Sequence, residues 1–480
     1  MMGNGWARMA CMVVAMGLVA GCSPFHTRAP ASRVVVPRQF TQVPAANTPR
    51  TDLTRWWEAW HDPGLTHAVE TALAASPDLR MARDRVREAR ALHTVARSAL
   101  YPTVGATGSM LGGGMDWRNP TSLVPGNDPG TDAHLAGVGA SWEPDLFGGR
   151  HADVKAAKAG VAAEEEYFHG VQMVIAADAA DDYLQAQGLQ RQIALTDQGI
   201  ATLEQLHAYG QARFASGQAN AADVTGIDQK LSGLRARRPM LVAQLDLMRR
   251  RLAVLSGQVP EGLPDPVPPP AYYLPPAPAG EMPDEVLERR PDVRARRDQV
   301  DAALNRLKSA KTDLLPRFGL EFFGGNGRLR FDGIPGLSGT GGLIALTTYL
   351  PIFTATRIQA RIHAADARLD AAVAGYDQSI LRALAEVEDG YENRLGLDSR
   401  DVELTRAMEQ ARQVARDMAG LYAGGQRNLG DVLHARMQVL DAQADVLANQ
   451  DARTLATIQL ARALGGGWEQ ATPVLRGSGP

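Results

Sequence analysis

The sequence predicts a mainly α-helical chain, internally duplicated, with long coiled-coil helices and four β-strands of the membrane-barrel kind. Three observations predict it. Gly217–Val224 and Gly425–Val432 carry Gly, Gln, Asn, Asp and Val at the same relative positions, and each sits between two long Ala- and Leu-rich runs. Pro77 to Pro102 aligns without a gap to Pro291 to Pro316, with ten identities in twenty-six positions. After each of those terminal prolines, Pro102 and Pro316, the texture changes from helical spacing to glycine-rich alternation.

Composition narrows the class before any element is placed. The 480 residues, 45% of them hydrophobic, allow several ordinary domains or one long repeat protein. Lys+Arg 50 against Asp+Glu 53 gives a net charge of -3, without the basic excess of a nucleic-acid surface, so nucleic acid is not an expected partner. Arg8 precedes an apolar run from Met9 to Ala20 that is too short to span a bilayer comfortably and ends in small residues. Residues 1–21 therefore read as a secretory signal, and Leu18-Val-Ala-Gly-Cys22 reads as a lipoprotein cleavage site with Cys22 as the lipidated residue. An ordinary signal peptide with an incidental Cys is the alternative. Cys11 leaves with the peptide, so a mature chain holds one Cys and neither a disulfide framework nor a Cys metal site.

In chain order, residues 22–52 are Pro-, Ala- and Thr-rich without periodicity, which suits an extended tether from lipid to body. Residues 53–257 form a first repeat. Three of the seven tryptophans fall in Arg55–Pro63, where packing of the N-terminal arm is favoured over an interfacial cluster. Leu65, Val69, Leu73, Leu79, Val86, Ala89 and Leu92 predict one helix that stops at Pro102. Thr103–Leu111 and Ala133–Trp142 predict strands around a turn-rich loop. From about Gly149 to Gly210 there is no proline, and roughly sixty helical residues span about 90 Å.

The helix after the first turn carries Val224, Ile227, Leu231, Leu234, Leu241, Leu245, Met248, Leu252 and Leu255 at three-four spacing, with Arg238 at the missing position and Pro239 as a candidate kink. Residues 258–283 hold ten prolines and predict a stiff, extended crossover. A second repeat follows over 284–468. Its helix ends at Pro316, its strands are Arg317–Phe323 and Gly341–Leu350, and Leu433, Met437, Leu440, Ala444 and Leu447 form its own seam. Residues 469–480 read as a tail. Four strands of about ten residues have the length of tilted barrel strands, but four cannot close, and a membrane barrel admits no free edge. Several chains sharing one barrel is the expected solution, with a soluble hairpin on helices as the alternative.

No pattern for a phosphate loop, a zinc-protease helix or a nucleophile elbow occurs, so an enzyme, a cofactor and a metal site are not expected. The chemically pointed stretches are the two turns. Gly217 and Gly425 suit the positive backbone angles that end a helix, and Asp223 and Asp431 suit acceptance of backbone N–H bonds at the start of the next. Tyr422 and Arg427 cap nothing. Arg427 is expected to pair with a carboxylate on an adjacent hairpin, and His434, three residues after Asp431, is a candidate for titration near neutral pH.

Many motifs in one order carry a family resemblance across nearly the whole chain. Trp56-Trp57 with Asp62-Pro63, Pro77-Asp78-Leu79, Trp142-Glu-Pro-Asp-Leu-Phe-Gly148, Arg289-Arg-Pro-Asp-Val293, Pro351-Ile-Phe353, Glu386-Val-Glu388, Asp431-Val-Leu433 and Ala463-Leu-Gly-Gly-Gly-Trp468 resemble the outer-membrane factor family of TolC-like channels, in its lipoprotein efflux branch. The resemblance implies a homotrimer with a shared twelve-stranded barrel, a periplasmic helical barrel, and an equatorial belt built from termini and crossover. It implies a passive exit duct that joins a periplasmic adaptor and an inner-membrane resistance-nodulation-division transporter to expel drugs or other small toxic compounds. Residues Gly217, Gln218, Gly425 and Gln426 match the adaptor-contact tips, Asp223, Tyr422 and Arg427 match links that hold the entrance shut, and Asp431 matches a constriction ring. His434 stands where well-known members carry a further aspartate. The same channel in a one-step protein secretion system, and a lipid-anchored periplasmic scaffold without a pore, are the competing readings.

Overall fold

A computed structural model describes residues 27–41, 52–113, 131–260, 272–279, 281–330 and 336–468. The signal segment, Cys22, most of the first strand-pair loop, residues 261–271 of the crossover and the tail lie outside the described residues. Among the described residues the order is a 3₁₀ turn Trp56–Trp60, α1 Pro63–Ala75, α2 Pro77–Ser98, β1 Thr103–Gly113, β2 Thr131–Trp142, α3 Gly149–Ala215, α4 Ala221–Leu255, α5 Pro283–Arg289, α6 Pro291–Thr312, β3 Arg317–Arg330, β4 Leu337–Tyr349, α7 Arg357–Ala423 and α8 Leu429–Ala463.

The duplication is carried element by element. Helices α2 and α6 both have 22 residues, α3 and α7 both 67, and α4 and α8 both 35. The first helix of each repeat is not continuous, contrary to expectation. Ser76 breaks the first at ψ 129 and Arg290 breaks the second at ψ 119. Each precedes a proline, whose ring disfavours helical angles at the residue before it. The apolar periodicity continues across the break, which is why the sequence reads as one helix.

The chain divides into two compact units. One comprises Met1–Ser32, Arg87–Ala163 and Arg296–Tyr376 and contains the sheet. Its four strands are antiparallel in the order β1-β2-β3-β4, with Thr103 opposite Ser141, Trp142 opposite Leu320 and Arg317 opposite Tyr349. Strand β3 runs seven residues past its expected end at Phe323, through Gly324, Gly325, Asn326 and Gly327. Those residues resemble a turn in sequence, yet a Cβ on Gly325 would lie 2.5 Å from the Ala136 carbonyl oxygen, so the backbones approach closely there and glycine is required. The Phe323 ring covers the matching gap at Gly137. Alternation is weak because all but one residue of β4 are exposed, Ile344 and Leu346 among them. A strand with neither face covered within its own chain shows no two-residue burial period. The same unit has a small core of Val300, Leu307, Ala365, Leu369 and Val373, against which Ala29 of the tether packs.

The other unit comprises Arg33–Val86, Glu164–Ala295 and Asp377–Pro480. Its main core gathers Trp56, Trp57, Leu65, Val69, Tyr391 and Leu460, with Phe40 of the tether. The tryptophans of the arm are therefore packing residues. Asp62 caps α1 by accepting from the backbone N–H of Gly64 at 2.8 Å and Leu65 at 3.2 Å. The described part of the crossover is strapped down from α7: Tyr391 donates its hydroxyl to the Pro278 carbonyl at 2.8 Å, and buried Arg394 reaches the Pro275 carbonyl at 3.4 Å. Burial drives the Tyr391 phenol well above its ordinary value. In the α4 seam Ile227, Leu231, Leu241, Leu245, Met248 and Leu252 are buried, and the helix continues through Pro239. Arg238 fills its gap from outside, bonded to Asp197 at 2.6 Å.

Candidate functional site

Each long helix pair ends in a five-residue tip, and the two tips are conformational copies. Gly217 and Gly425 both take φ 74, in the left-handed region that side chains avoid. Around Gly217 the N–H of Gln218 bonds the Arg213 carbonyl at 2.8 Å and that of Gly217 bonds Phe214 at 3.0 Å. Around Gly425 the N–H of Gln426 bonds Leu421 at 2.8 Å and that of Gly425 bonds Tyr422 at 2.9 Å. Each helix thus closes with a Schellman motif, in which the two Gln residues serve through their backbones.

The next helix starts by a capping box in each tip. Asn220 accepts from the Asp223 N–H at 2.9 Å while Asp223 accepts from the Asn220 N–H at 3.2 Å. Asn428 and Asp431 repeat this at 3.0 and 3.4 Å. The asparagines, passed over as caps in the sequence, are the N-cap residues, and the aspartates sit at the third helical position, where the helix dipole also favours a carboxylate. The signal that finds them is Asn followed three residues later by Asp, twice.

Beneath the tips Leu203, Leu206, Ile227, Leu231 and Leu433 form a buried cluster that ties α3, α4 and α8 together. Tyr209 lies over Gly430, where a Cβ would approach its ring at 3.2 Å. Arg213 donates to the Gln218 carbonyl at 3.0 Å, and His207 pairs with Asp228 at 2.8 Å. None of these three contacts is marked by a motif in the sequence. Rigid apolar packing therefore holds the tips, and their polar groups face out.

Of the residues singled out for the entrance, Asp223, Tyr422, Arg427, Asp431 and His434, the chain brings together only two. Arg427 lies 3.9 Å from Asp431 at the start of the helix it precedes. An exposed pair of that length contributes little in water. Tyr422 is exposed and its hydroxyl has no hydrogen-bond partner among the described residues; His434 and the Gln218 and Gln426 side chains are exposed as well. The tips thus present two turns, the Arg427–Asp431 pair, a second carboxylate at Asp223, and exposed Tyr422 and His434.

A second polar cluster lies on α3, where Asp178, Asp181 and Asp182 face Arg250 and Arg251 across an open depression. Arg251 is 3.9 Å from Asp182, whose side chain is almost wholly buried. Burial pushes the Asp182 carboxyl up to about 7, Arg251 opposes this, and Asp181 and Asp178 add to it. Burial raises Asp178 and Asp181 too, opposed by Arg462 in both. Among the described residues no group of His, Cys, Asp and Glu could hold a metal, and no helix is long and apolar enough to cross a membrane.

Comparison with known proteins covers both repeats. The model of the outer membrane efflux protein family matches residues 68–258 and 282–466. The pyoverdine export outer membrane protein OpmQ of Pseudomonas aeruginosa is 28% identical, over 91% of this chain and 92% of its own. The toluene efflux pump outer membrane protein TtgI of Pseudomonas putida is also 28% identical, over 87% and 88%. Among solved structures, the outer-membrane channel OprN superposes with a TM-score of 0.81 at 26% identity, covering 93% of this chain and 100% of that one. The open-state MtrE outer membrane channel of Neisseria gonorrhoeae gives 0.79 at 23% identity, covering 92% and 98%, a likeness of fold. With both halves of the duplication matched, the chain belongs to the outer membrane efflux protein family.

Proposed function

We propose that this chain is the outer-membrane channel of a tripartite efflux pump, a passive duct through which drugs or other small toxic compounds leave the cell. Three copies close one twelve-stranded barrel, a periplasmic adaptor meets the tips at Gly217, Gln218, Gly425 and Gln426, and an inner-membrane resistance-nodulation-division transporter supplies the energy. Asp223, Tyr422, Arg427, Asp431 and His434 form the entrance. Cys22 carries the lipid after removal of residues 1–21, and 22–52 tether it to a body of two repeats, 53–257 and 284–468, joined by the crossover at 258–283, with 469–480 as a tail.

The observation that carries this reading is the pair of open sheet edges in a chain of this family: β1 and β4 are each paired on one side only among the described residues. A spanning sheet must have every backbone group bonded, and a ring of identical chains is the arrangement that does so. The native mass of the detergent-extracted particle, taken with the mass of the denatured chain, tests it. A trimer of chains that start at Cys22 and carry acyl mass is the expected result. An unlipidated monomer, or a particle absent from the outer membrane, contradicts it.

A further inference from the structure

The duplication makes one contact inside the chain a template for a contact between chains. The connection that leaves β2 carries Leu146 and Phe147, and these line a cleft whose other wall is Ser309, Thr312, Pro316 and Phe318, from the end of α6 and the start of β3. The approach is tight, since a Cβ on Gly149 would lie 2.3 Å from the Thr312 hydroxyl. The outgoing connection of one repeat thus runs alongside the incoming helix and strand of the other, with Phe147 half-buried and Leu146 56% exposed at the cleft.

The second repeat has the same outgoing connection and lacks the wall. Between β4 and α7 the chain carries Ile352 and Phe353, 92% and 87% exposed. Both connections end on a residue with positive φ immediately before the next helix, Gly148 at 79 and Thr356 at 64, the second preceded by Ala355 at 44. Strand β4 is one of the two free edges of the sheet, so no further strand of this chain lies beside it among the described residues.

The missing wall is on the opposite edge. The ungapped alignment of Pro77–Pro102 with Pro291–Pro316, continued into the strands, puts Val95, Ser98, Pro102 and Val104 at the positions of Ser309, Thr312, Pro316 and Phe318. Val95 and Val104 are both 66% exposed, and Leu92, one turn before Val95 on the same face of α2, is 58% exposed. An apolar peg at one edge and an apolar face at the other, each at the position its repeat partner uses, are complementary under a rotation that places β4 beside β1.

We propose that Ile352 and Phe353 of one protomer seat against the Leu92, Val95 and Val104 face of the next copy of this chain, locking the ring just outside the sheet. The inference rests on the shared-barrel reading above and names the residues that hold it. Head-to-tail contacts of this kind close into a ring when the rotation allows. The occupant is a second copy because the same chain already supplies this contact once internally; bilayer lipid covering the two patches separately is the competing outcome.

The test is cysteine cross-linking in the full chain expressed in outer membranes. Val95→Cys combined with Ile352→Cys, treated with a short bis-maleimide and run on a denaturing gel, is expected to lose most of its monomer band to covalent dimer and trimer. Each single variant is expected to keep its monomer. A double variant that stays monomeric on the denaturing gel, or links only within one chain, while the native particle is a trimer, overturns this contact and leaves the shared barrel standing. A native monomer in the unsubstituted protein overturns the shared barrel itself. Ile352→Ser with Phe353→Ser gives an independent reading: trimers that dissociate at a lower temperature than the parent fit the proposal, and an unchanged dissociation temperature contradicts it.

Discussion

Asp182 shows how a single residue couples the fold to pH. Its folded carboxyl is raised from 3.8 to about 7, chiefly by burial on α3. Between those values the folded chain holds a proton that the unfolded chain has released, so stability declines as pH rises through the window and the decline is complete near 7. Asp178 and Asp181, also raised, act in the same direction. Thermal unfolding in detergent is therefore expected to occur at progressively lower temperature from pH 4 to pH 7, and Asp182→Asn is expected to flatten that slope; equal slopes would remove Asp182 from the account. The tip glycines offer a second residue-level test. Gly425→Ala forces a side chain into φ 74 and is expected to cost about 1 kcal/mol, as is Asn428→Ala through loss of the cap. Faster amide hydrogen exchange in the last turn of α7 and the first turn of α8 is the readout for both, and unchanged protection would show that packing by Leu433 alone holds the turn.

At the scale of elements, the tips separate what sequence reveals from what it conceals. Gly217, Gly425, Asp223 and Asp431 are legible because a positive φ and a helix start each demand a short choice of residues. The long helices are legible because no proline interrupts them, and the strands because glycine and alternation replace helical spacing. The breaks at Ser76 and Arg290 are concealed because apolar spacing runs through them, and the end of β3 because its glycines serve close strand approach while looking like a turn. Partner choice is the least legible: nothing in the sequence tells Arg427 to pair with Asp431 four residues on, since any carboxylate within reach would serve. If that pair also bridges hairpins in the assembled entrance, Arg427→Ala loosens the constriction and raises single-channel conductance; an unchanged conductance would reduce Arg427 to a surface residue.

For the whole molecule, the duplication is the main economy. One repeat supplies helix, strand pair, 67-residue helix, tip and 35-residue helix, and the chain uses it twice. Two copies in one chain leave β1 and β4 with unpaired edges, and exposed edges of that length invite pairing with another chain. The same logic assigns apolar side chains such as Met110, Ile344 and Leu346, which share one face of the sheet, to lipid, since a barrel spanning a bilayer turns apolar residues outward. Conduction is measured directly as single-channel current from the purified, detergent-extracted particle in a planar bilayer. Discrete, uniform conductance steps that Arg427→Ala enlarges are the expected result. A particle that inserts into the bilayer and passes no current, in parent and variant alike, would contradict the channel function and leave a lipid-anchored scaffold in its place.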